Sequence, residues 1–272
     1  MASEPHYRFP DGKRKALVMS YDDGSEHDRR LIELFNRYGI RASFHLNSGK
    51  LGQPHYIRPE EVRHLYQNHE VSCHTVNHPD LVQLPEAAIR REILDDKLRL
   101  EELTGAPVRG LSYPFGTHDA RITALLPELG IDYGRTVVAT NAFTIPGNFL
   151  TWETTCHHSL AMELGTQFLE SDSPALQLMY IWGHSYELEG FMTGDPSKNW
   201  QYMEALCRLL HAHEALCYIT TIDLIDYLNA LRKLKFLPAE RTVSNGSDSI
   251  LWISWRNTTL AIGPGERRYL HD

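Results

Sequence analysis

From Ala16 to about Leu234, short apolar runs alternate with amphipathic stretches, and this alternation restricts the possible folds more than any other feature of the chain. The runs predict strands at Ala16–Ser20, Ala42–Asn47, Glu70–His74, Val108–Tyr113, Ile131–Val137, Leu176–His184 and Ala215–Thr220. The stretches between them predict helices at Asp28–Tyr38, Pro59–Asn68, Pro85–Leu103, Ala120–Leu129, Leu160–Leu169, Trp200–His211 and Ile222–Leu231. Pro59 and Pro85 suit first-turn positions, and Gly39, Gly105 and Gly130 stand where C-terminal caps fall. Alternating β-α units build a parallel sheet or barrel with helices outside it. The expectation is an α/β fold, a distorted (β/α)7-type barrel with a short C-terminal β-rich extension.

After Pro238 the pattern changes. Val243, Ile250–Trp255, Leu260–Ile262 and Tyr269–Leu270 are β-prone runs separated by turn signals at Asn245-Gly246, Asn257 and Gly263-Pro264-Gly265. The division is therefore a barrel over residues 1–237 and a small tail over 238–272. Fewer than about 40 residues rarely fold alone. The tail is expected to pack on the barrel or on a second subunit, with Trp252 and Trp255 as candidates for a homo-oligomer contact.

Of 272 residues, 42% are hydrophobic and 23% charged, which is ordinary globular composition. The 27 basic against 35 acidic residues leave a net charge of −8, which argues against electrostatic binding of nucleic acid or an anionic membrane. Cys73, Cys156, Cys207 and Cys217 have no Cys-x-x-Cys spacing and read as reduced thiols. The first apolar cluster, Ala16 to Met19, follows a charged segment and is too short for a signal peptide or a membrane span. These features predict a soluble cytoplasmic protein.

The 15 histidines direct attention to metal or proton-transfer chemistry. The first predicted strand runs into Ser20-Tyr21-Asp22-Asp23-Gly24. Strand C-termini carry the chemistry of α/β barrels because their loops converge there. Two adjacent carboxylates at such an end are costly to bury ionised unless a cation is near, although the segment also reads as a plain turn. The third strand runs into His74-Thr75-Val76-Asn77-His78, whose two imidazoles can reach one ion if the segment is helical or tightly turned. Together these segments supply an aspartate and two histidines, with coordination positions left for water and substrate. Later strands run into Ser112-Tyr113-Pro114-Phe115-Gly116 and Tyr180-Ile181-Trp182-Gly183-His184.

The order and spacing of these four segments resemble the polysaccharide deacetylases, the NodB-homology group of carbohydrate esterase family four. Ser20–Gly24 is similar to the first motif of that family, Thr-Phe-Asp-Asp-Gly. His74, Thr75 and His78 match its second, His-Ser/Thr-x-x-His. Ser112–Gly116 partly matches the third, Arg-x-Pro-Tyr-Gly, and Trp182-Gly183-His184 resembles the fifth, Leu-x-His. The resemblance covers Ala16 to about Leu231 and implies that residues 1–237 form the catalytic barrel. It makes Asp22 the general base, Asp23, His74 and His78 the metal ligands, and His184 the general acid. It also implies that the backbone N–H of Phe115 faces the oxyanion.

Two family positions are altered. Ser112 stands where the family has an arginine that orients the base. Arg109 points to the opposite face of the same strand, so Arg135, at the end of the next one, is the candidate replacement, against a structural or surface role. The fourth-motif aspartate that supports the catalytic histidine is not recognisable. Glu153 and the Cys156-His157-His158 segment lie in the right region. Tyr113, Phe115, Trp182 and Tyr186 are candidates for the pocket wall or for the core.

The implied function is metal-dependent removal of an acetyl group from an N-acetylated saccharide. Zinc is the default divalent ion, and cobalt, nickel or iron are alternatives. The alternatives in function are hydrolysis of a cyclic amide or another small amide at the same site, and a degenerate metal- or carbohydrate-binding protein.

Overall fold

The computed structural model describes residues 4–190, 195–211 and 213–271. In chain order its first half contains β1 (His6–Arg8), β2 (Lys15–Asp23), α1 (Asp28–Arg37), β3 (Ala42–Leu46), α2 (Val62–Leu65), β4 (Glu70–Cys73), α3 (Glu86–Thr104), β5 (Gly110–Ser112), α4 (Ala120–Glu128) and β6 (Tyr133–Ala139). There follow β7 (Trp152–Thr154), β8 (Cys156–His157), α5 (Ala161–Glu170), β9 (Gln177–His184), α6 (Trp200–Leu210), β10 (Leu216–Tyr218) and α7 (Thr221–Leu231). The chain ends in β11 (Leu234–Leu237), β12 (Thr242–Asn245), β13 (Leu251–Trp255), β14 (Thr258–Ile262) and β15 (Arg267–Tyr269).

Nine strands form one parallel sheet in the order β7-β6-β5-β4-β3-β2-β9-β8, with β10 also against β2. Only Thr155 separates β7 from β8. The first pairs with β6 and the second with β9, so this one segment closes the sheet into a barrel. The distortion has a visible cause at β10, which pairs with Lys15–Leu17 of β2, while β3 takes the same side only from Met19 onward. All seven predicted strands lie in this sheet. The two unforeseen ones, β7 and β8, are three and two residues long, too short to display a period.

Alternation along the strands sorts the side chains into two layers. Leu17, Met19 and Tyr21 of β2 and Ala42, Phe44 and Leu46 of β3 pack with the surrounding helices. Ala16 and Val18 lie on the opposite face, in a cluster with Tyr180, Leu224 and Ile225. Continuing that inward face gives Ser20 and Asp22 on β2, Ser43 and His45 on β3, Glu70 and Ser72 on β4, Tyr133 and Arg135 on β6, all buried. The barrel interior is therefore apolar at Ala16 and Val18 of β2 and polar from the level of Ser20, Ser43 and Glu70, which pair in register, upwards.

The remaining strands form two small antiparallel sheets, β1-β13-β14 and β11-β12-β15. Val243, Leu251, Ile253, Trp255, Ile262 and Leu270 share a core with Leu224, Leu228 and Leu231 of α7. Tyr227 of α7 ties both ends of the chain together, its hydroxyl donating to the Arg8 carbonyl at 2.8 Å and accepting from the Trp252 N–H at 3.1 Å. Trp255, expected as an exposed contact, is only 7% exposed. Among the described residues, all four cysteines are free and no helix is long and apolar enough to cross a membrane.

Candidate active site

Strand register assembles the site. Asp22 stands beside His45 on one side and His184 on the other, and Ser112 stands beside Arg135. Asp22 is 2% and Arg135 0% exposed. The Arg135 guanidinium hydrogen-bonds Asp22 Oδ2 and Ser112 Oγ, and Ser112 Oγ donates to the same Asp22 oxygen at 3.2 Å. Burial alone would raise the Asp22 pKa, but Arg135, helped by His74, holds it well below the usual carboxylate range. The guanidinium also lies 5.0 Å from the centre of the Trp182 ring. Arg109, by contrast, is spent on Asp132 and Asp226.

Beside this pair, the ligand atoms of Asp23, His74 and His78 all lie within 4.8 Å of one another. Asp23 Oδ1 is 3.6 Å from His74 Nε2 and 3.9 Å from His78 Nε2. His74 Nδ1 donates to the Ser112 carbonyl at 2.8 Å, so its neutral ring presents a lone pair at Nε2. Burial pushes His74 down to about 4 despite the nearby Asp22 and Asp23, which keeps that lone pair available at neutral pH. Asp23 Oδ1 and His74 Nε2 are buried without a hydrogen-bond partner, as expected of atoms shaped for a cation. Three non-glycine residues in the two ligand segments, Asp23, Thr75 and His78, adopt left-handed φ of 80°, 67° and 61°. Such conformations cost of order 1–3 kcal/mol each and are found where surrounding structure enforces them.

Part of that enforcement comes from Asp96 on α3, which the sequence did not single out. Its buried carboxyl accepts the His74 N–H at 3.0 Å and the Ser48 N–H at 2.7 Å. Burial pushes it up to about 7. Nothing but its inward position on an otherwise charged helix marked it.

His184 Nε2 lies 3.9 Å from Asp23 Oδ2, and its ring stacks on Tyr186 at 5.0 Å. Burial would lower its pKa, but hydrogen bonding to Glu187 and the charges of Asp22 and Asp23 raise it overall. Glu187 is thus the carboxylate that faces the histidine. Its Oε1 is 3.4 Å from His184 Nδ1, and its Oε2 accepts from the His184 backbone N–H at 3.1 Å and from His157 Nε2 at 2.9 Å. The expected partner Glu153 is exposed on β7 and takes no part. His157 and His158, from the same region, do reach Glu187. A Cβ on Gly183 would lie 2.1 Å from His158 Nδ1, so only glycine lets the two elements approach.

His157, His184 and Glu187 also lie close enough together to suggest a second ion. His157 Nδ1 accepts the Ser159 N–H at 3.3 Å, however, so Nε2 carries the proton given to Glu187. The set is a hydrogen-bonded support for His184. Glu187→Gln is expected to lower kcat about 10- to 100-fold, in the range of supporting-residue losses, with Glu153→Gln near wild type. Steady-state kinetics of the two variants checks this.

Of the expected pocket-wall residues, Tyr113 is a correction. Ser112 faces inward, so its neighbour faces the helices, where Tyr113 is buried, donates to the Leu150 carbonyl at 2.6 Å and stacks on His118. Phe115 is 61% exposed at left-handed φ 60°, with its ring 4.7 Å from that of His78. Trp182 is half-buried between Arg135, His157 and His184. A cleft of about 580 Å³ opens from Asp23 and is lined by Glu26, His55, Tyr56, Tyr186 and Glu189 among others.

Residues 10–134 match the polysaccharide deacetylase family, a stretch that holds Asp22, Asp23, His74 and His78. Chitin deacetylase 1 of Cryptococcus neoformans var. grubii is 28% identical over 115 residues, 42% of this chain and 24% of that protein. The chain spans less than half the length of the curated relatives it matches. A Mycobacterium smegmatis structure described as a polysaccharide deacetylase aligns with a TM-score of 0.61 at 17% identity, covering 85% of this chain and 96% of that one. A family-four carbohydrate esterase pseudoenzyme from Bacillus anthracis aligns with a TM-score of 0.53 at 14% identity, covering 81% and 68%. The barrel alone thus does not decide activity. Over residues 10–134, the stretch that carries the Asp22-Asp23 and His74-His78 segments, the chain is similar to the polysaccharide deacetylase family, and it shares the barrel fold of the structures above.

Proposed function

We propose that this protein is a metal-dependent hydrolase that removes the acetyl group from the nitrogen of an N-acetylated carbohydrate. The observation that carries the reading is the gathering of Asp22 and His184, neighbours in strand register, against the Asp23, His74 and His78 set. Those three residues would hold a divalent cation, zinc by default, which when bound polarises a carbonyl and makes water acidic enough to attack near neutral pH.

The remaining chemistry belongs to the side chains. Arg135 and Ser112 occupy Oδ2 of Asp22 and leave Oδ1 without a hydrogen bond, free to receive the proton of the attacking water. His184, its pKa raised with Glu187 behind it, gives a proton to the departing nitrogen. The Phe115 N–H, in its left-handed turn at the rim, would face the oxyanion. Trp182, Tyr186 and Phe115 would form the wall against which a sugar ring stacks.

The test is a panel of N-acetylated chito-oligosaccharides, acetylated esters and cyclic amides, each with and without chelator. Acetate release from the oligosaccharides, abolished by chelator, is the expected result. Ring opening without acetate release, or saccharide binding without turnover, would overturn it.

A further inference from the structure

Beneath Asp22 a hydrogen-bonded chain runs down the barrel interior through His45 and Tyr133 to Glu70, at the N-terminal end of β4, where a cavity of about 430 Å³ opens. The direction of every bond in it can be assigned. Four donors converge on the Glu70 carboxyl: Tyr133 Oη and Ser72 Oγ on Oε1, each at 2.7 Å, and Ser43 Oγ at 2.6 Å and the Ile222 N–H at 3.0 Å on Oε2. A carboxylate has only lone pairs to offer, so the single proton of Tyr133 points at Glu70. Ser72 Oγ, 3.1 Å from Tyr133 Oη, has likewise committed its own proton to Glu70. The Tyr133 oxygen can then only accept at 3.0 Å from His45 Nε2, which must carry the ring's proton. A neutral imidazole has one N–H, so His45 Nδ1 is bare. It faces Asp22 Oδ1 at 3.3 Å and the Ser20 hydroxyl at 3.5 Å. A second observation agrees: Asp22 Oδ1 is buried and receives no hydrogen bond.

We infer that His45 is a positioning residue for Asp22, held by Tyr133 and Glu70 in the one tautomer that offers an acceptor to the proton Asp22 receives. The inference rests on the reading of Asp22 as general base. In the resting protein the lone pairs on Oδ1 and Nδ1 face each other and repel, with the Ser20 hydroxyl 3.5 Å away as the donor nearest Nδ1. When a water proton transfers to Oδ1, the water oxygen keeps the electron pair for attack, and the new O–H donates to Nδ1. The hydrogen bond exists only once the reaction is under way, so it lowers the barrier rather than tightening substrate binding. The geometry of the chain is built for this: a Cβ on Gly110 would lie 2.2 Å from the Tyr133 ring, so a glycine is required where Tyr133 crosses β5.

The test joins a direct reading of the ring with kinetics. Long-range ¹H–¹⁵N correlation spectra of the full chain should show His45 protonated at Nε2 and bare at Nδ1. In Tyr133→Phe, which removes the acceptor for Nε2, the proton should move to Nδ1, where it pairs with Asp22. The same variant should lose about tenfold in kcat on an N-acetylated chito-oligosaccharide, with KM and bound metal near wild type. His45→Phe should lose a similar factor, and the double variant no more than either alone, because both remove one interaction. Additive losses, unchanged kcat in both single variants, or a wild-type ring protonated at Nδ1 or at both nitrogens would overturn the assignment. Absence of turnover in the wild type would instead refute the deacetylase reading, and the tautomer is still decided on the ring itself.

Discussion

Asp22→Asn is expected to lower kcat by about 10²- to 10⁴-fold, the usual contribution of a positioned general base, while bound metal stays at the wild-type level. The substitution keeps the shape of the side chain and an oxygen for Arg135 but removes the carboxylate proposed to take the water proton. Because Arg135 is fully buried and Asp22 is its carboxylate partner, the variant also leaves a buried guanidinium without a counter-charge. Stranding one member of a buried ion pair costs up to about 3–5 kcal/mol. The unfolding temperature should therefore fall together with activity. Adding Arg135→Met removes the stranded charge, so the double variant should recover stability without recovering turnover. Retained turnover in Asp22→Asn would mean that another group serves as the base.

The second large effect concerns the cation. Asp23 and His78 hold left-handed φ, and Asp23 Oδ1 and His74 Nε2 are buried without a hydrogen-bond partner, which a bound ion would supply. Removing the metal with a chelator should abolish acetate release. It should also lower the unfolding temperature, because an ion that binds only the folded chain stabilises it by mass action. At a hundredfold excess over Kd, zinc is expected to raise Tm by roughly 5–10 °C relative to the chelated protein. Asp23→Asn and His78→Ala should lose that increment and, with it, the stoichiometric metal found by elemental analysis. A wild-type protein whose Tm does not respond to zinc, cobalt, nickel or iron would argue that these residues hold no ion.

Much of the architecture was legible in the chain. A parallel strand buried on both faces reads as a continuous apolar run, as in Lys15–Asp23 and Gln177–His184, and a long helix reads as periodic spacing, as in Glu86–Thr104. Both are local properties, and so are the motifs at the strand ends: Asp22-Asp23, His74-x-x-x-His78 and His184 each needed only a strand before them to be recognised.

What the sequence left open depends on which strand lies beside which, and in what register. Arg135 reaches Asp22 across 113 residues because β5 and β6 pair Ser112 with Arg135. Tyr113 turns away from the cleft because one residue along a strand reverses the face. Glu187 rather than Glu153 faces His184 because the short turn after β9 returns the chain on itself, whereas β7 directs Glu153 to solvent. His45 and Asp96 carry no motif at all and matter only through what burial places against them. The chain by itself thus determined the alternation of elements and the residue motifs at the strand ends, since both arise from neighbours in sequence. The tertiary structure alone decided which buried groups share protons and charges, because hydrogen bonds between strands follow register, and register is settled by packing across the whole barrel.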